Sequence, residues 1–471
     1  MNRLSAMRTL LCSMVLLPVA AALAAGEVKL PAYKSSTLPN GAVVALVEKR
    51  DTPLVAMNVT VRGGGLGDPA DKDGTASLYT DLIQKGAGNR TAAQFAEAIE
   101  NVGGSLSAGA GTESVGVNAS FMSRDVDLML ELMADALQRP KLDPAEFEKA
   151  RRLAVQSIVA AKDSDPRALM SSYGDAWLFR GHPYGRSVGG SEASLAAVKL
   201  DDIKRYYADQ VGGDRLIITL VGDFDAATML QKLERSFGTW RKAGAALPIV
   251  PMPARVTGRP VLLVDKPGAT QTYFWLGNVG ASRTDPARTA QSVVNTVFGG
   301  RFTSMLNTEL RIKSGLTYGA SASFNRPTQP GSFHIASYTE TSKTTQAIDM
   351  TLDTLARLHK DGLDADQLKS SQSYMLGQFP PSIETNGQIA ARLADMSFYG
   401  LGPEDVNEFA QRVTRVDAAT VRSTIEQAFP QPDNLAIVLI GDAAKIRDAV
   451  HRYGPVTEMK ITDPRYTPAT K

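Results

Sequence analysis

A long internal repeat constrains the fold of this chain more than any other feature. The apolar run from Asp214 to Asp223 ends in Gly-Asp, and the run from Asp433 to Asp442 matches it at an offset of 219 positions (433 minus 214). Each run is typical of a buried strand that enters a turn. Two more pairs of matching helix starts occur in the same order, at Leu142 and Leu363 and at Leu200 and Val416. The ordered set predicts two copies of one domain.

The boundaries of the copies follow from composition. A stretch with three prolines between Arg241 and Arg259 cannot be a helix or a central strand, so we interpret 241–259 as a linker between a domain at 25–240 and a domain at 260–471. Within the first copy, the alternating runs Ala42–Leu46 and Val55–Val61 predict strands that precede a set of helices. Strands and helices that are segregated in this way predict an α+β fold with a mainly antiparallel sheet in each domain.

The first 24 residues resemble a cleavable export signal. Two arginines lie within the first eight residues, Leu10–Leu23 is apolar, and small residues precede a cleavage site at Ala24. A membrane anchor is the alternative, but the apolar stretch is short and Pro18 interrupts it. We therefore expect a protein that is exported to the periplasm, without a membrane anchor after cleavage. Cys12, the single cysteine, would be lost with the signal.

Charge and residue counts exclude several classes of function. The 51 Lys and Arg residues nearly balance the 49 Asp and Glu residues, and no long basic run occurs, so we expect no nucleic-acid partner. The four histidines are far apart in the sequence, and with one cysteine they cannot form a local zinc motif. No metal is therefore predicted on this chain.

The segment from Gly74 to Gly86, with Lys85 before the last glycine, resembles the insulinase/pitrilysin family of zinc metallopeptidases. In that family the segment carries His-x-x-Glu-His, in which two imidazoles bind zinc and the glutamate activates water. Here the two His positions hold Ser77 and Asp81, and the Glu position holds Thr80. The family's third ligand, a glutamate on a later helix, aligns with Ser157. The resemblance thus implies a helix that is kept for packing and a zinc site that is lost.

The second copy carries the strongest match. The segment from Gly299 to Tyr318 resembles the family's Gly-Gly-x-x-Ser-x-Leu-x-x-x-Leu-Arg motif and the Gly-Leu-x-Tyr that follows it. Phe302, Leu306 and Leu310 recur at every fourth position, which predicts a helix with one buried face. The resemblance implies that Arg311, on the last turn, and Tyr318, in the next strand, bind a peptide and stabilise its oxyanion. A helix-end arginine and a core tyrosine are the structural alternatives.

Two further matches complete the resemblance. Residues 104–111 match the family's edge strand, to which substrate peptides add through main-chain hydrogen bonds, so Ser105, Leu106, Ser107 and Ala108 are candidate substrate-binding residues. An ordinary edge strand is an equal alternative. The Gly-His-Pro-Tyr-Gly sequence around His182 is interpreted as a structural turn.

The resemblance also implies a partner. Some small bacterial members of this family are heterodimers, in which one subunit carries zinc and the other contributes Arg and Tyr across a clamshell cavity. The leading hypothesis is that this chain is the zinc-free subunit of a periplasmic peptidase, inactive alone. Its partner would be a homologous subunit with the zinc motif, which would supply the zinc, and its substrates would be peptides. A noncatalytic peptide-binding or scaffold protein of the same fold is the alternative. A self-contained peptidase with another mechanism is a third hypothesis.

Overall fold

A computed structural model describes residues 28–468 and contains two six-stranded sheets. The predicted export signal and Cys12 lie outside the described residues. The first sheet has the order β1-β2-β6-β3-β5-β4, and the second has the order β12-β7-β11-β8-β10-β9. The strands are β1 Lys34–Thr37, β2 Val43–Glu48, β3 Leu54–Arg62, β4 Ser105–Ala110, β5 Ser114–Met122, β6 Leu216–Gly222, β7 Val261–Asp265, β8 Gln271–Val279, β9 Ala320–Phe324, β10 Ser332–Glu340, β11 Ala436–Gly441 and β12 Val456–Lys460.

Helices cover the faces of both sheets. In the first half they are α1 Thr75–Ile83, α2 Ala92–Glu100, α3 Val126–Gln138, α4 Pro144–Ser164, α5 Met170–Leu178, α6 Glu192–Ala197, α7 Leu200–Gln210 and α8 Ala226–Phe237. In the second half they are α9 Arg288–Asn295, α10 Met305–Asn307, α11 Thr344–Asp361, α12 Ala365–Gln378, α13 Asn386–Tyr399, α14 Glu404–Asn407, α15 Phe409–Thr414, α16 Ala418–Ala428 and α17 Ala443–Val450. Two π-helical segments, Thr296–Gly300 and Thr308–Lys313, flank α10.

The predicted α+β class and the two-domain architecture are confirmed. Each sheet is mainly antiparallel: β2 and β6 are parallel in the first sheet, and β7 pairs in parallel with β11 and β12 in the second. The matching runs that revealed the repeat are β6 and β11, which lie at equivalent places in the two strand orders. Both are buried along their whole length. Strands covered on both faces are apolar throughout, which is why the repeat was visible in the sequence.

The predicted helix starts are capped by aspartates, with one exception. Asp143 and Asp364 accept hydrogen bonds from the first turns of α4 and α12, and Asp417 does the same for α16. In α7 the side chain of Asp202 instead reaches back to the main-chain N–H of Lys199, at 2.8 Å. These caps satisfy N–H groups that have no partner inside the helix.

Each domain contributes one helix to the sheet of the other. Helix α5 packs on β8 and β11 of the second sheet, and α13 packs on β3 and β6 of the first. Gly174 allows the close approach of α5, because a Cβ at this position would lie 2.6 Å from an atom of the Trp275 indole. On the other side, Thr219 donates a hydrogen bond of 2.9 Å to the carbonyl of Ala390 in α13. The exchange joins the two domains through buried side chains.

The stretch between the domains contains no helix or strand from residue 238 to residue 260. None of the helices in residues 28–468 combines the length and the apolar character that a membrane crossing requires.

Candidate functional site

Helix α1 carries three of the four positions that a zinc site would use. Asp68 fixes the first turn of this helix. One of its carboxylate oxygens accepts a hydrogen bond from the N–H of Gly74 at 2.8 Å, and the other accepts one from the N–H of Ala76 at 2.7 Å. Gly74 has a φ of +98°, a conformation that glycine adopts without strain. Burial raises the pKa of Asp68 to about 7 despite these hydrogen bonds. Leu78 and Leu82 are buried, so the predicted packing role of the helix is confirmed.

The side chains at the four positions do not form a zinc site. Thr80 is buried, and its hydroxyl donates to the carbonyl of Ser77 at 2.8 Å, so it is engaged within the helix. Asp81 is exposed and is the one charged group of the set. Ser157 is also exposed, on α4, which packs against α1. A zinc site needs imidazole, thiolate or carboxylate donors, and one carboxylate with three hydroxyls does not fit the ion.

No group of three or more His, Cys, Asp or Glu residues placed to hold a metal ion occurs between residues 28 and 468. His182 has the structural role predicted for it: its Nδ1 accepts from the N–H of Tyr184 at 3.1 Å, and its Nε2 lies 3.0 Å from the carbonyl of Pro251.

The segment that carries Arg311 differs from the predicted regular helix. Leu306 and Leu310 are fully buried, as predicted, but Phe302 is 58% exposed. The helix begins only at Met305, after Ser304 caps it, so Phe302 lies outside the helix and cannot share its buried face. From Thr308 the backbone is π-helical, which is a rare geometry often found at functional sites. Gly315 ends the segment with a φ of +63°, as predicted.

Tyr318 lies in the loop before β9 and not in the strand, so that detail of the prediction is wrong. The strand begins at Ala320, because the hydroxyl of Thr317 binds the N–H of Gly319 at 3.1 Å and turns the chain. Ser337 donates to the carbonyl of Gly319 at 2.9 Å and fixes the loop to β10. The Tyr318 side chain is 78% exposed. A well-anchored backbone thus presents a tyrosine to solvent.

Arg311 borders a cavity of about 380 Å³ between the two domains. The second domain contributes the motif residues Phe302 and Asn307 and parts of β8, β9 and β10, whereas the first domain contributes Arg167, Met170 and Ser171. Asn307 accepts the N–H of Ala320 at 3.0 Å and so ties the helix to β9. The Arg167 guanidinium lies 5.5 Å from the centre of the Tyr338 ring. Sequence reasoning missed Arg167 and Tyr338, because they come from separate elements that no local motif joins, and it gave no role to Asn307 although the motif segment contains it.

The predicted substrate strand is β4, at the edge of the first sheet. Ser105 and Ser107 are exposed, while Leu106 and Ala108 are half-buried and point to the helix side. Within residues 28–468, strand β4 pairs only with β5, so its other edge presents main-chain groups. One of them, the carbonyl of Ala108, lies 3.4 Å from the amide nitrogen of Gln84. An open edge of this kind is the usual place for an added peptide strand. Peptide binding there stays a prediction.

Two family profiles match the chain. The profile described as Insulinase (Peptidase family M16) matches residues 43–192, and the one described as Peptidase M16 inactive domain matches residues 197–375. Together they span most of the chain and include the candidate residues of both domains.

Known proteins support the same relationship. An uncharacterized zinc protease of Mycobacterium leprae is 25% identical over 76% of this chain and 80% of its own. The crystal structure of a peptidase M16 inactive domain from Pseudomonas fluorescens superposes with a TM-score of 0.81 at 22% identity, over 87% of this chain and 98% of that one. The periplasmic protease PqqL of Escherichia coli gives a TM-score of 0.72 at 13% identity, over 88% of this chain and 46% of its own. These likenesses establish the two-domain fold that forms half of a clamshell.

Proposed function

Because the chain belongs to the M16 (insulinase) family of peptidases, we propose that it is the zinc-free subunit of a heteromeric zinc peptidase. It is exported to the periplasm, and it contributes Arg311 and Tyr318 to the cleavage of peptides at the zinc of a homologous partner subunit. The export-like residues 1–24 support the location.

The observation that carries this proposal is the contrast between the two candidate sites. On α1 and α4 the donor positions hold hydroxyls and one carboxylate, which cannot replace a zinc-binding set. In the second domain, the Arg311 guanidinium and the Tyr318 hydroxyl make no hydrogen bond or ion pair with residues 28–468, although the surrounding backbone is well anchored. The hydrogen-bond donors of both side chains are therefore free to bind a ligand.

Each side chain supplies a defined interaction. The guanidinium of Arg311 can donate two parallel hydrogen bonds to a carboxylate, or a hydrogen bond to the single oxygen of a peptide carbonyl. The phenol of Tyr318 can donate to an oxygen that gains negative charge during cleavage, an interaction that is stronger in the transition state than in the ground state. The open edge of β4 can hold the peptide through its main chain, with little dependence on sequence.

Reconstitution tests the proposal. The purified chain is assayed for hydrolysis of a quenched fluorescent peptide, alone and after mixing with a homologue that carries His-x-x-Glu-His. We expect activity only in the mixture, and we expect Tyr318→Phe to lower its kcat by about 100-fold, the typical effect of losing one oxyanion donor. Tyr374→Phe is the matched control, since Tyr374 is a partly exposed tyrosine elsewhere in the same domain.

The outcomes separate the two candidate functions. A mixture that is no more active than the zinc subunit alone, with both chains folded, contradicts the proposed function. If the isolated chain still binds the peptide in that case, the noncatalytic peptide-binding function is the correct one.

A further inference from the structure

A second cavity, of about 520 Å³, lies on the helical side of the second domain and is unusually rich in arginine. Five guanidinium groups line it together with two carboxylates, so three positive charges are not balanced within the cavity wall. The charged residues are Arg283, Arg288, Arg326, Arg392, Arg412, Asp395 and Asp405. The cavity lies where α13 leaves its own domain to cover the sheet of the other. It shares no lining residue with the cavity that Arg311 borders.

Asp405 organises four of the arginines. Its carboxylate accepts from Arg283 at 3.0 Å and forms an ion pair with Arg288, while Arg392 and Arg412 lie at 3.9 and 3.8 Å. Arg283 also binds Asp395 at 2.7 Å. Two carboxylates cannot saturate four guanidinium groups, each of which carries five N–H donors. Main-chain carbonyls take some of the remaining donors, since Arg412 donates to the carbonyls of Glu404 and Asp405 and Arg288 to that of Asp285. The Nε of Arg412 is nevertheless buried without a hydrogen-bond partner among residues 28–468, so donors remain free to bind a ligand.

Arg326 is the arginine whose environment most requires an anion. Its guanidinium stacks 4.5 Å from the centre of the Phe324 ring, and its hydrogen bonds go to one acceptor, the side-chain oxygen of Gln291, at 3.2 and 3.4 Å. No carboxylate in residues 28–468 lies within ion-pair distance of it. Burial and the charges of Arg283 and Arg288 lower its pKa to about 10, although the charge of Asp285 acts in the opposite direction.

Arg215, a fully buried arginine of the first domain, has surroundings that compensate its charge more completely than those of the half-buried Arg326. Arg215 also has no carboxylate within ion-pair distance in the part of the chain that the structure describes, but it donates to the carbonyl of Gln210 at 3.1 Å, to the side-chain oxygen of the same residue at 2.8 Å and to the carbonyl of Ala245. Three acceptors thus surround Arg215, whereas Arg326 has one. The positive charge at Arg326 is the less compensated of the two, because a buried charge needs an opposite charge or several hydrogen bonds.

The remaining walls of the cavity provide an apolar surface and two hydroxyl groups. Phe379 and Phe409 stack with their ring centres 3.9 Å apart and form an apolar wall, and Thr289 and Ser292 add hydroxyls from α9. The volume falls within the usual range for small-molecule sites, which is roughly 300 to 1,000 Å³. We propose that this cavity binds a small multivalent oxyanion, a phosphate or a polycarboxylate, through Arg326 and the arginines around Asp405.

Binding is tested on the full chain without a partner, so the result does not depend on the proposed peptidase function. Calorimetric titrations use inorganic phosphate and citrate as probes, at constant ionic strength in a buffer without oxyanions. Arg326→Met removes the least compensated charge, and Arg392→Gln removes a second arginine of the cavity, whose side chain is 28% exposed and lies 3.9 Å from the Asp405 carboxylate. Arg357→Met is the control, because it also removes one positive charge but lies on α11, outside the cavity.

We expect saturable binding of at least one probe, weakened by about tenfold or more in Arg326→Met and in Arg392→Gln and unchanged in Arg357→Met. Binding of phosphate but not citrate identifies a phosphate group as the recognised chemistry, and the reverse identifies carboxylates. Absence of binding by both probes, or equal affinity in all variants, overturns the proposal. Circular dichroism confirms that each variant is folded before titration.

Discussion

The guanidinium carbon of Arg311 lies 4.6 Å from the centre of the Phe302 ring. Phe302 was predicted to be a buried residue of the helix, yet it is exposed and lies beneath the arginine at the edge of the cavity between the domains. A cation over an aromatic face is attracted to it without losing its hydrogen-bond donors. Phe302 therefore orients Arg311 and leaves its N–H groups available to a substrate.

We expect Phe302→Leu to raise the KM of the reconstituted peptidase by about threefold, since a partly exposed cation–π contact contributes roughly 0.5 to 1 kcal/mol. The value of kcat should change less, because Tyr318 and the zinc subunit are untouched. Phe302→Tyr retains an aromatic face and should behave like the parent. Steady-state kinetics with the three proteins provide the comparison, and an unchanged KM in Phe302→Leu would show that the arginine needs no such support.

Much of the fold was predictable because its signals are local. Apolar runs that end in Gly-Asp identified β6 and β11, and aspartates at helix starts identified α4 and α12. The detailed geometry around Arg311 was not predictable from spacing. Leu306 and Leu310 fit a helical period, but the π-helical backbone and the late start at Met305 depend on tertiary contacts such as the bond between Asn307 and Ala320.

If the zinc site has been lost only through its donor atoms, restoring three donors should restore metal binding. We expect the triple variant Ser77→His, Asp81→His, Ser157→Glu to bind about one zinc ion per chain, because residues four apart lie on one face of α1 and α4 packs beside it. Thr80 is left unchanged, since a glutamate at this buried position would carry a separate folding cost. Zinc is measured by atomic absorption after dialysis. Ser77→His alone should retain no zinc. A triple variant that is folded but binds no zinc would show that α1 and α4 no longer hold the three positions close enough together to bind the ion.

The cavity between the domains could not be predicted from any single motif. Arg167 comes from the first domain, Trp275 from β8 and Arg311 from the π-helical segment, and they meet because α5 crosses to the second sheet. The packing of α5 on the second sheet depends on how closely the two surfaces fit, and most directly on the absence of a side chain at Gly174. A sequence shows that a glycine is present, but it does not show which distant indole the glycine accommodates.

The carboxyl group of Asp175, on α5, should make stability depend on pH. Burial raises its pKa to about 7, against a value near 3.9 in an unfolded chain. Between these two values the unfolded chain ionises first, so Asp175 lowers the stability of the fold as the pH rises from about 4 to 7. Asparagine resembles the neutral acid and can still accept the hydrogen bond from Ser332. Since one pKa unit corresponds to about 1.4 kcal/mol, we expect Asp175→Asn to be more stable than the parent by about 4 kcal/mol at pH 8 and nearly equal to it at pH 4.

Urea denaturation of both proteins at the two pH values measures this difference. Asp201→Asn, at an exposed position on α7, tests whether any loss of a carboxylate has the same effect. A stability gain in Asp175→Asn that is the same at both pH values would contradict a titrating carboxyl group.

Two glycine substitutions should have opposite effects on stability, because Gly174 lies at the close contact between α5 and the second sheet and Gly377 does not. In Gly174→Ala the new Cβ would lie 2.6 Å from the Trp275 indole, and since both groups are buried, α5 must move away or the ring must rotate. We expect a loss of about 1 to 3 kcal/mol, as for other overpacked cores. At Gly377, near the end of α12, a Cβ would meet no atom of residues 28–468 within 4 Å outside its own turn of helix. Gly377→Ala should therefore stabilise the protein by about 0.5 to 1 kcal/mol through helix propensity. Thermal unfolding of the two variants distinguishes these effects, and a Gly174→Ala protein as stable as the parent would mean that the domains do not depend on this contact.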